Sequence, residues 1–226
     1  ADPSHPLFVG EHPHTASGHR SLWRDMKVYK DHAYIVADGA GAHHMQIYDL
    51  TQLRDLTQFP TTLTETNIYK GVFSSHNLHI NLDTGFGYAV GNDSGGETCG
   101  GALHMMDLND PANPVFVGCF NDPTTHGGSG ATHDVQCVSD HGPDADYAGR
   151  EVCLSSNGNA LSIADVTNKS NPTAISTADY PNVAYTHQGW LTEDHRYFFL
   201  NDEGDESSGI VDATRTLIFD LQDLDE

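Results

Sequence analysis

A short apolar segment that recurs four times along this chain constrains its fold more than any other feature. It reads MQIYDL at residues 45–50, LHMMDL at 103–108, LSIADV at 161–166 and TLIFDL at 216–221. A second element precedes each copy, and it reads WRD at 23–25, SHN at 75–77, THD at 132–134 and THQ at 186–188. Self-similarity at a nearly constant period indicates a repeat architecture.

Each repeat predicts four short antiparallel strands. In the second unit, SHNLHINL alternates apolar and polar residues as a strand does, and GYAVGN, ALHMMDL and VFVGCF follow it. Turn-forming residues such as DTG and NDPANP separate these runs. Four strands in a repeat of this size are typical of a propeller blade. We therefore predict an all-β protein, a β-propeller of four blades at about residues 20–72, 73–121, 130–178 and 184–226.

The N-terminal residues 1–12 contain PLFVGE, which we predict to be the outer strand of a preceding or closing blade. Two arrangements follow for the single domain or segment 1–226. Pairing this strand with the three strands of residues 186–221 would close a ring of four blades. Otherwise the chain is part of a larger propeller, which is the favoured alternative because four-bladed rings are uncommon.

Acidic residues dominate the charge of the chain, with 32 Asp and Glu against 10 Lys and Arg and a formal net charge of −22. Such a surface repels nucleic acid and anionic membranes. We expect the partners to be cations, basic proteins, or components of the extracellular matrix or cell surface, and not nucleic acid. No apolar run approaches the length of about 18 residues that spans a bilayer, so membrane insertion is not predicted.

The four cysteines, Cys99, Cys119, Cys137 and Cys153, all lie in the middle two repeats. None forms a C-x-x-C pair, which argues against a zinc ribbon or a thioredoxin-like motif. Cys137 and Cys153 lie in strand-like runs joined by a polar loop, and the other two flank the LHMMDL strand. Sequential pairing, 99–119 and 137–153, is favoured among three connectivities and implies an oxidising, extracytoplasmic compartment. The alternative is four buried thiols in a cytosolic protein.

Several longer motifs resemble those of a known family. They are SLWRDMKVYKDHAYIVAD, HHMQIYDLTQLRDL, THDVQC, GREVC, THQGWLTEDHRYFFLNDE and TRTLIFDLQDLD. They resemble the bacterial extracellular proteins called choice-of-anchor B, within the wider group that has LVIVD-type β-propeller repeats. The resemblance extends from residue 7 to 226. It implies a secreted or surface-attached propeller, commonly with further blades on both sides, and it implies no particular activity.

Aligning the repeats on their Asp-Leu endings puts three histidines, His76, His133 and His187, at one position, which Arg24 occupies in the first unit. In a propeller the first strand of each blade lines the central channel, so these side chains are predicted to meet at one channel mouth. Three imidazoles suit Zn²⁺ or copper. Two alternatives remain, a structural role against the backbone of the neighbouring blade and a substrate-binding ring without metal.

Other polar residues are predicted at the same mouth. The residues that follow the aligned position, each able to hold an imidazole by a hydrogen bond, are Asp25, Asn77, Asp134 and Gln188. The ends of the second strands add Asp38, Asn92, Asp93, Asn157 and the run NDEGDE at 201–206. His43 and His44 begin the third strand of the first unit, and at most one of two adjacent strand residues faces inward. We include His43 as a further candidate ligand.

Two acidic loops are candidate calcium sites. One holds Asp140, Asp144 and Asp146, and the other holds Asp202 and Glu203. Calcium takes six to eight oxygen ligands, commonly from such loops. The alternative is that these carboxylates are simply solvated, as in most acidic proteins.

The residues favour a secreted or cell-surface binding or scaffold module that holds a metal ion at the channel mouth. A metal-dependent hydrolase, lyase or oxidase with its site at the same mouth is the alternative. A hydrolase or lyase that uses His133 or His187 as general base, with Asp134 or Glu203 nearby, is also chemically reasonable. No P-loop, G-x-S-x-G or H-E-x-x-H motif is present, and no nucleotide or organic cofactor is predicted. A structural component of a surface layer or matrix is a third possibility.

Overall fold

The computed structural model describes residues 3–92, 99–125 and 132–226, and its regular structure is almost entirely β-strand. Four antiparallel sheets follow one another along the chain and are arranged as the blades of a four-bladed β-propeller. The prediction of an all-β propeller is therefore confirmed.

The strand bounds follow the repeat. The N-terminal segment and blade 1 contain β1 (Gly10–Glu11), β2 (Trp23–Tyr29), β3 (His32–Asp38), β4 (Met45–Asp49), β5 (Thr61–Thr62) and β6 (Asn67–Tyr69). Blade 2 contains β7 (Asn77–Asn81), β8 (Phe86–Val90), β9 (Leu103–Asp107) and β10 (Val115–Phe120). Blade 3 contains β11 (Asp134–Ser139), β12 (Glu151–Ser156), β13 (Leu161–Asp165) and β14 (Thr173–Ala178). Blade 4 contains β15 (Thr186–Leu191), β16 (Tyr197–Asp202) and β17 (Thr216–Asp220). Two short 3-10 helices lie at Leu50–Leu53 and Cys99–Gly101.

Each blade has the strand order that the repeat predicts. Blades 2 and 3 are four-stranded in sequence order, and blade 1 is ordered β2-β3-β4-β6. Blade 4 comprises three strands, β15-β16-β17, among the residues that the structure describes. The innermost strands β2, β7, β11 and β15 pack against one another in that order and line the channel.

The core consists of apolar layers between successive blades. Tyr34 and Val36 of blade 1 pack with Leu78, Met106 and Leu108 of blade 2. Two further layers of the same kind lie between blades 2 and 3 and between blades 3 and 4. Because side chains alternate across a strand, blades 2 and 3 each use one face for the blade before and the other for the blade after.

The N-terminal strand lies at a different place from the one that ring closure requires. β1 forms a two-residue parallel ladder with β5, and not with the outer edge of β17. The residues after β1 contact blade 1: the His12 ring stacks on Tyr48 at 4.2 Å, and Gln46 Nε2 donates to Pro13 O at 3.0 Å. These contacts hold the N-terminal segment on blade 1.

Both predicted disulfides are present. Cys99 is bonded to Cys119, and Cys137 is bonded to Cys153. Cys137 and Cys153 are direct cross-strand partners on β11 and β12, as the sequence pattern predicted. Two disulfides are compatible with an extracytoplasmic protein. Among the described residues, no helix has the length and apolar character needed to cross a bilayer.

Candidate functional site

The three aligned histidines meet at one mouth of the channel. The ring centroids of His76 and His133 are 4.2 Å apart, and those of His133 and His187 are 4.1 Å apart. All three line one cavity of about 720 Å³, together with Trp23 and Tyr185. The convergence that the repeat alignment predicted is therefore found in the structure.

Strand register explains this convergence. His76 and His133 immediately precede β7 and β11, and their backbone N–H groups donate to Val90 O at 3.0 Å and to Ser156 O at 2.9 Å. Each histidine thus continues the ladder of its inner strand, and neighbouring inner strands bring the rings side by side. Gly91 leaves room for this, because a Cβ at that residue would lie 2.5 Å from the Cβ of His76.

Hydrogen bonds orient two of the imidazoles. His76 Nδ1 pairs with Asp38 Oδ2 at 2.8 Å, so Asp38 lies at the mouth as predicted. His133 Nδ1 lies 3.0 Å from the backbone oxygen of His187, which only a protonated Nδ1 can satisfy. The lone pair of the neutral His133 ring is therefore on Nε2. An imidazole oriented in this way through one nitrogen is a typical metal ligand through the other.

One carboxylate completes a candidate metal-binding group. His187 Nε2 lies 3.4 Å from Glu203 Oε2. One ligand atom from each of His133, His187 and Glu203 lies within 4.8 Å of the other two. Two imidazoles and a carboxylate can bind Zn²⁺ or Cu²⁺, with His76 adjacent to the group.

Burial affects the protonation of the central imidazole. Burial first, and then the neighbouring imidazoles of His187 and His76, which would repel a second positive charge, together lower the pKa of His133 to about 4. At neutral pH the ring is thus uncharged, which is the form that binds metal.

Arg24 and His43 are not brought to this group. Arg24 Nη1 lies 2.9 Å from His43 Nε2, and His43 is fully buried, with Nδ1 2.8 Å from His44 O. Arg24 has the register of the three histidines, but it lies on the face of blade 1 that faces away from blade 2. His43 is buried beneath that same face. Its position therefore does not match the prediction that it is a channel ligand.

The residues that follow the aligned position bond to backbone and not to imidazoles. Asp25 Oδ2 accepts from Leu78 N at 2.9 Å, and Asn77 Nδ2 donates to His133 O at 3.0 Å. Asp134 Oδ1 accepts from Val135 N at 2.9 Å, and burial raises the pKa of its carboxyl. The prediction that Asp25 and Asn77 hold imidazoles was wrong in its detail, because the next inner strand lies closer to them than the rings do.

The two acidic loops separate into different environments. Asp202 accepts from Tyr180 OH, Ala184 N and Tyr185 N at 2.8 to 3.0 Å, so it shapes the loop that presents Tyr185 to the cavity. Glu203, the next residue, points to the opposite side and reaches His187. The adjacent carboxylates Asp202 and Glu203 therefore do not share a centre, and Asp93 lies outside the described residues.

The other loop is divided in the same way. Asp140 is buried against His195, with Oδ1 3.0 Å from Nδ1. Asp144 lies instead within 4.8 Å of Asp223 and Asp225 near the C-terminus. Asp146 donates its backbone N–H to Asp144 Oδ1 at 3.0 Å. Because the chain turns between them, Asp140, Asp144 and Asp146 do not face one centre.

Sequence reasoning missed two aromatic residues of the mouth, Trp23 and Tyr185. Tyr185 contacts His133 edge-on at a centroid distance of 5.4 Å, and Trp23 lies 6.4 Å from His76. Trp23 immediately precedes Arg24, and Tyr185 comes two residues before His187. The sequence signal that could have identified these two aromatic residues was that each lies within two residues of the aligned position.

Known proteins show only distant likenesses to this chain. No family model matches the chain, and no curated protein matches it. A protein from Lactobacillus plantarum is similar at 13% identity and a TM-score of 0.49, over 88% of this chain and 55% of that one. The β-propeller domain of Swd1 from Myceliophteria thermophila is similar at 10% identity and a TM-score of 0.46, over 86% and 56%.

A third solved structure, TolB from Acinetobacter baumannii, is similar at 14% identity and a TM-score of 0.40, over 88% of this chain and 40% of that chain. This chain thus spans about half the length of these solved structures. Membership of the choice-of-anchor B family stays a prediction.

Proposed function

We propose that this protein is a secreted or cell-surface β-propeller that binds a Zn²⁺ or copper ion at one mouth of its channel. His133, His187 and Glu203 would be the ligands, and His76, oriented by Asp38, would be adjacent. The bound ion would form part of a binding surface for an extracellular partner. The choice-of-anchor B resemblance and the two disulfides support this location.

A single observation carries the proposal. Two imidazoles and a carboxylate from two blades offer ligand atoms within 4.8 Å of one another, beside a cavity of about 720 Å³. Imidazole nitrogen is a preferred donor for both metals, whereas Ca²⁺ and Mg²⁺ prefer sets composed of oxygen alone. The donor set therefore favours a transition metal over calcium here.

Metal titration of the chelator-treated protein tests the proposal. We expect one equivalent of Zn²⁺ or Cu²⁺ to bind in calorimetry, and binding to be lost in the double variant His133→Ala/His187→Ala. Glu203→Gln changes an exposed side chain, and we expect it to weaken binding while the fold is retained. The matched control is His14→Ala/His19→Ala, which removes two exposed histidines elsewhere. Equal binding by all variants would contradict the proposal.

A metal-dependent enzyme is the second candidate, and the size of the cavity beside the ligand group favours it. Three protein ligands leave a coordination position for water or substrate, and bound Zn²⁺ lowers the pKa of such a water toward neutrality. Hydrolysis of activated esters by the Zn²⁺-loaded protein would support this candidate. Stoichiometric metal binding without turnover would leave the binding module as the function.

A further inference from the structure

A second cavity, of about 360 Å³, lies toward the other ends of the inner strands, away from the aligned histidines. All four blades contribute to its wall, through Lys27 of β2, His79 of β7, Val138 of β11 and Trp190 of β15. Among the residues that the structure describes, it shares none with the cavity beside the candidate metal group. Cavities of about 300–1,000 Å³ with largely apolar walls are typical binding sites for small molecules.

Aromatic rings and apolar side chains form most of the wall of this second cavity. The indole of Trp190 contacts the His79 ring edge-on, with a centroid distance of 6.0 Å. The rings of His141 and His195 lie side by side with centroids 3.8 Å apart, and Ile80 adds an aliphatic surface. Planar rings pack against one another in edge-on or offset arrangements. The wall therefore suits a planar, apolar ligand better than a polyol, which needs many hydrogen-bonding groups.

The charged groups near this cavity are paired with one another. Lys27 Nζ lies 2.7 Å from Asp25 Oδ1 and 2.6 Å from Asp25 Oδ2. His195 Nδ1 lies 3.0 Å from Oδ1 of buried Asp140. Asp83, the one carboxylate in the described lining, is exposed to solvent. Because the charges within the wall are compensated, a neutral ligand is favoured over a charged one.

One buried nitrogen in the wall is left to accept a hydrogen bond. His79 is only 8% exposed, and its Nε2 donates to Cys137 O at 2.9 Å. In this neutral tautomer Nδ1 is the acceptor, and within the described part of the chain Nδ1 has no hydrogen-bond partner. A buried acceptor without a partner is unfavourable, so it favours a ligand that donates one N–H or O–H group.

We propose that this second cavity binds a neutral aromatic molecule of one or two rings that carries a single N–H or O–H donor. The ring of the ligand packs beside Trp190, and its donor bonds to Nδ1 of His79. The site is separate from the candidate metal group, and the inference does not depend on a bound metal ion.

Indole is the probe that tests the proposal, and 1-methylindole is its matched control. The two molecules have the same ring system, but the ring nitrogen of 1-methylindole carries no hydrogen. We expect calorimetry of the full chain to show one indole bound per chain. We expect 1-methylindole to bind about tenfold more weakly, because it leaves the buried acceptor of His79 unpaired.

Two equivalent substitutions locate the bound probe. Trp190 is 59% exposed and Trp23 is 53% exposed, so replacing either leaves the buried core intact. We expect Trp190→Ala to weaken indole binding about tenfold or more, since it removes the largest aromatic surface of the wall. Trp23→Ala removes the same side chain at the other mouth, and we expect it to bind indole as the parent protein does.

The variant His79→Gln tests the hydrogen bond by itself. Glutamine occurs at the equivalent residue Gln136, and its amide can still donate to Cys137 O, so we expect the fold to be retained. It places no acceptor where Nδ1 lies, and we therefore expect this variant to bind indole and 1-methylindole with equal affinity. Three results would overturn the proposal: no heat of binding from indole, equal affinity of the parent protein for the two probes, or binding that depends on Trp23 and not on Trp190.

Discussion

At the scale of single residues, one position on the inner strands connects blade 2 to blade 3 and blade 3 to blade 4. His79 Nε2 donates to Cys137 O at 2.9 Å, and Gln136 Oε1 accepts from Leu191 N at 2.7 Å. His79 and Gln136 are equivalent in the repeat, and each bonds to the backbone of the next inner strand, the imidazole as a donor and the amide as an acceptor. Burial is the main cause that lowers the pKa of His79 to about 4.

This shift predicts that the protein loses stability in mild acid. A histidine in the unfolded chain has a pKa of about 6.5, so the unfolded state binds the proton first. The contribution of His79 to the free energy of unfolding should be constant above that pH and fall by up to about 1.4 kcal/mol per pH unit as the pH drops toward 4. Charged groups near His79 are Lys27, Asp25 and Glu151, and His141 and His195 line the same cavity.

The variant His79→Gln isolates this contribution. Glutamine occurs naturally at the equivalent position, Gln136, and can donate to Cys137 O. We expect urea denaturation of this variant to show a shallower loss of stability between pH 6.5 and 4 than the parent protein shows, since its side chain does not titrate. An identical pH dependence in the two proteins would contradict the assignment.

A buried ion pair within blade 3, whose carboxylate also accepts hydrogen bonds from blade 2, gives a second prediction at this scale. Lys169 Nζ lies 2.7 Å from Glu151 Oε2, and the other oxygen accepts from Asn81 and Thr84 at 2.9 Å each. Lys169→Met leaves a buried carboxylate without its cation, and we expect it to cost about 3–5 kcal/mol of unfolding free energy in urea. The exposed pair Arg54 and Asp31 is the control, because Arg54→Met should cost about 0–1 kcal/mol. Comparable losses would contradict the argument.

At the scale of elements, the strands form from alternation and turn chemistry, and the disulfides reinforce them. Cys137–Cys153 joins two adjacent strands of blade 3 across a sequence separation of 16 residues. Cys99–Cys119 spans 20 residues and connects the short helix before β9 to β10. Each bond restricts the unfolded chain more than the folded one.

We expect removal of either disulfide to lower the unfolding free energy by about 3 kcal/mol, because loops of this length give that loss of chain entropy. Cys137→Ala/Cys153→Ala and Cys99→Ala/Cys119→Ala should have similar effects, since their loop lengths are similar. Urea denaturation without reductant measures both. An unchanged midpoint in either variant would show that its disulfide contributes nothing to stability.

At the scale of the whole molecule, the excess of acidic residues sets the response to salt. The net charge of −22 produces repulsion within the folded chain, whereas the exposed ion pairs, such as Arg196 with Asp220, contribute little each. Added salt should therefore weaken the repulsion between like charges more than it weakens the attraction within the ion pairs.

We expect the Tm at neutral pH to rise as NaCl is added up to about 0.15 M, where the Debye length is about 8 Å. Differential scanning calorimetry measures this, and sucrose in place of salt is the control for non-ionic effects. A Tm that falls with added NaCl would mean that attractive pairs outweigh the net repulsion.

Much of the site could be predicted from the repeat, because the register of a strand is set by residues close together in the sequence. His76, His133 and His187 share one register, and equivalent residues in stacked blades must lie side by side. Asp202 and Glu203 illustrate what could not be predicted, because adjacent residues at the end of a strand face opposite sides and the loop contacts of Asp202 come from residues 180–185. Burial of Asp140 against His195 likewise depends on a contact between blades 3 and 4.

The repeat pattern predicted the order of the strands within a blade, favoured the sequential disulfides and aligned the three histidines, because alternation, turns and period act over short distances. Which side chain meets which neighbour across a blade interface depends on tertiary packing. Arg24 shares the histidine register, yet its guanidinium pairs with buried His43 of its own blade. The N-terminal strand PLFVGE has the sequence of a fourth strand, but contacts with blade 1 decide its position. Contacts between distant segments are set by the packing of whole blades, which no local pattern records.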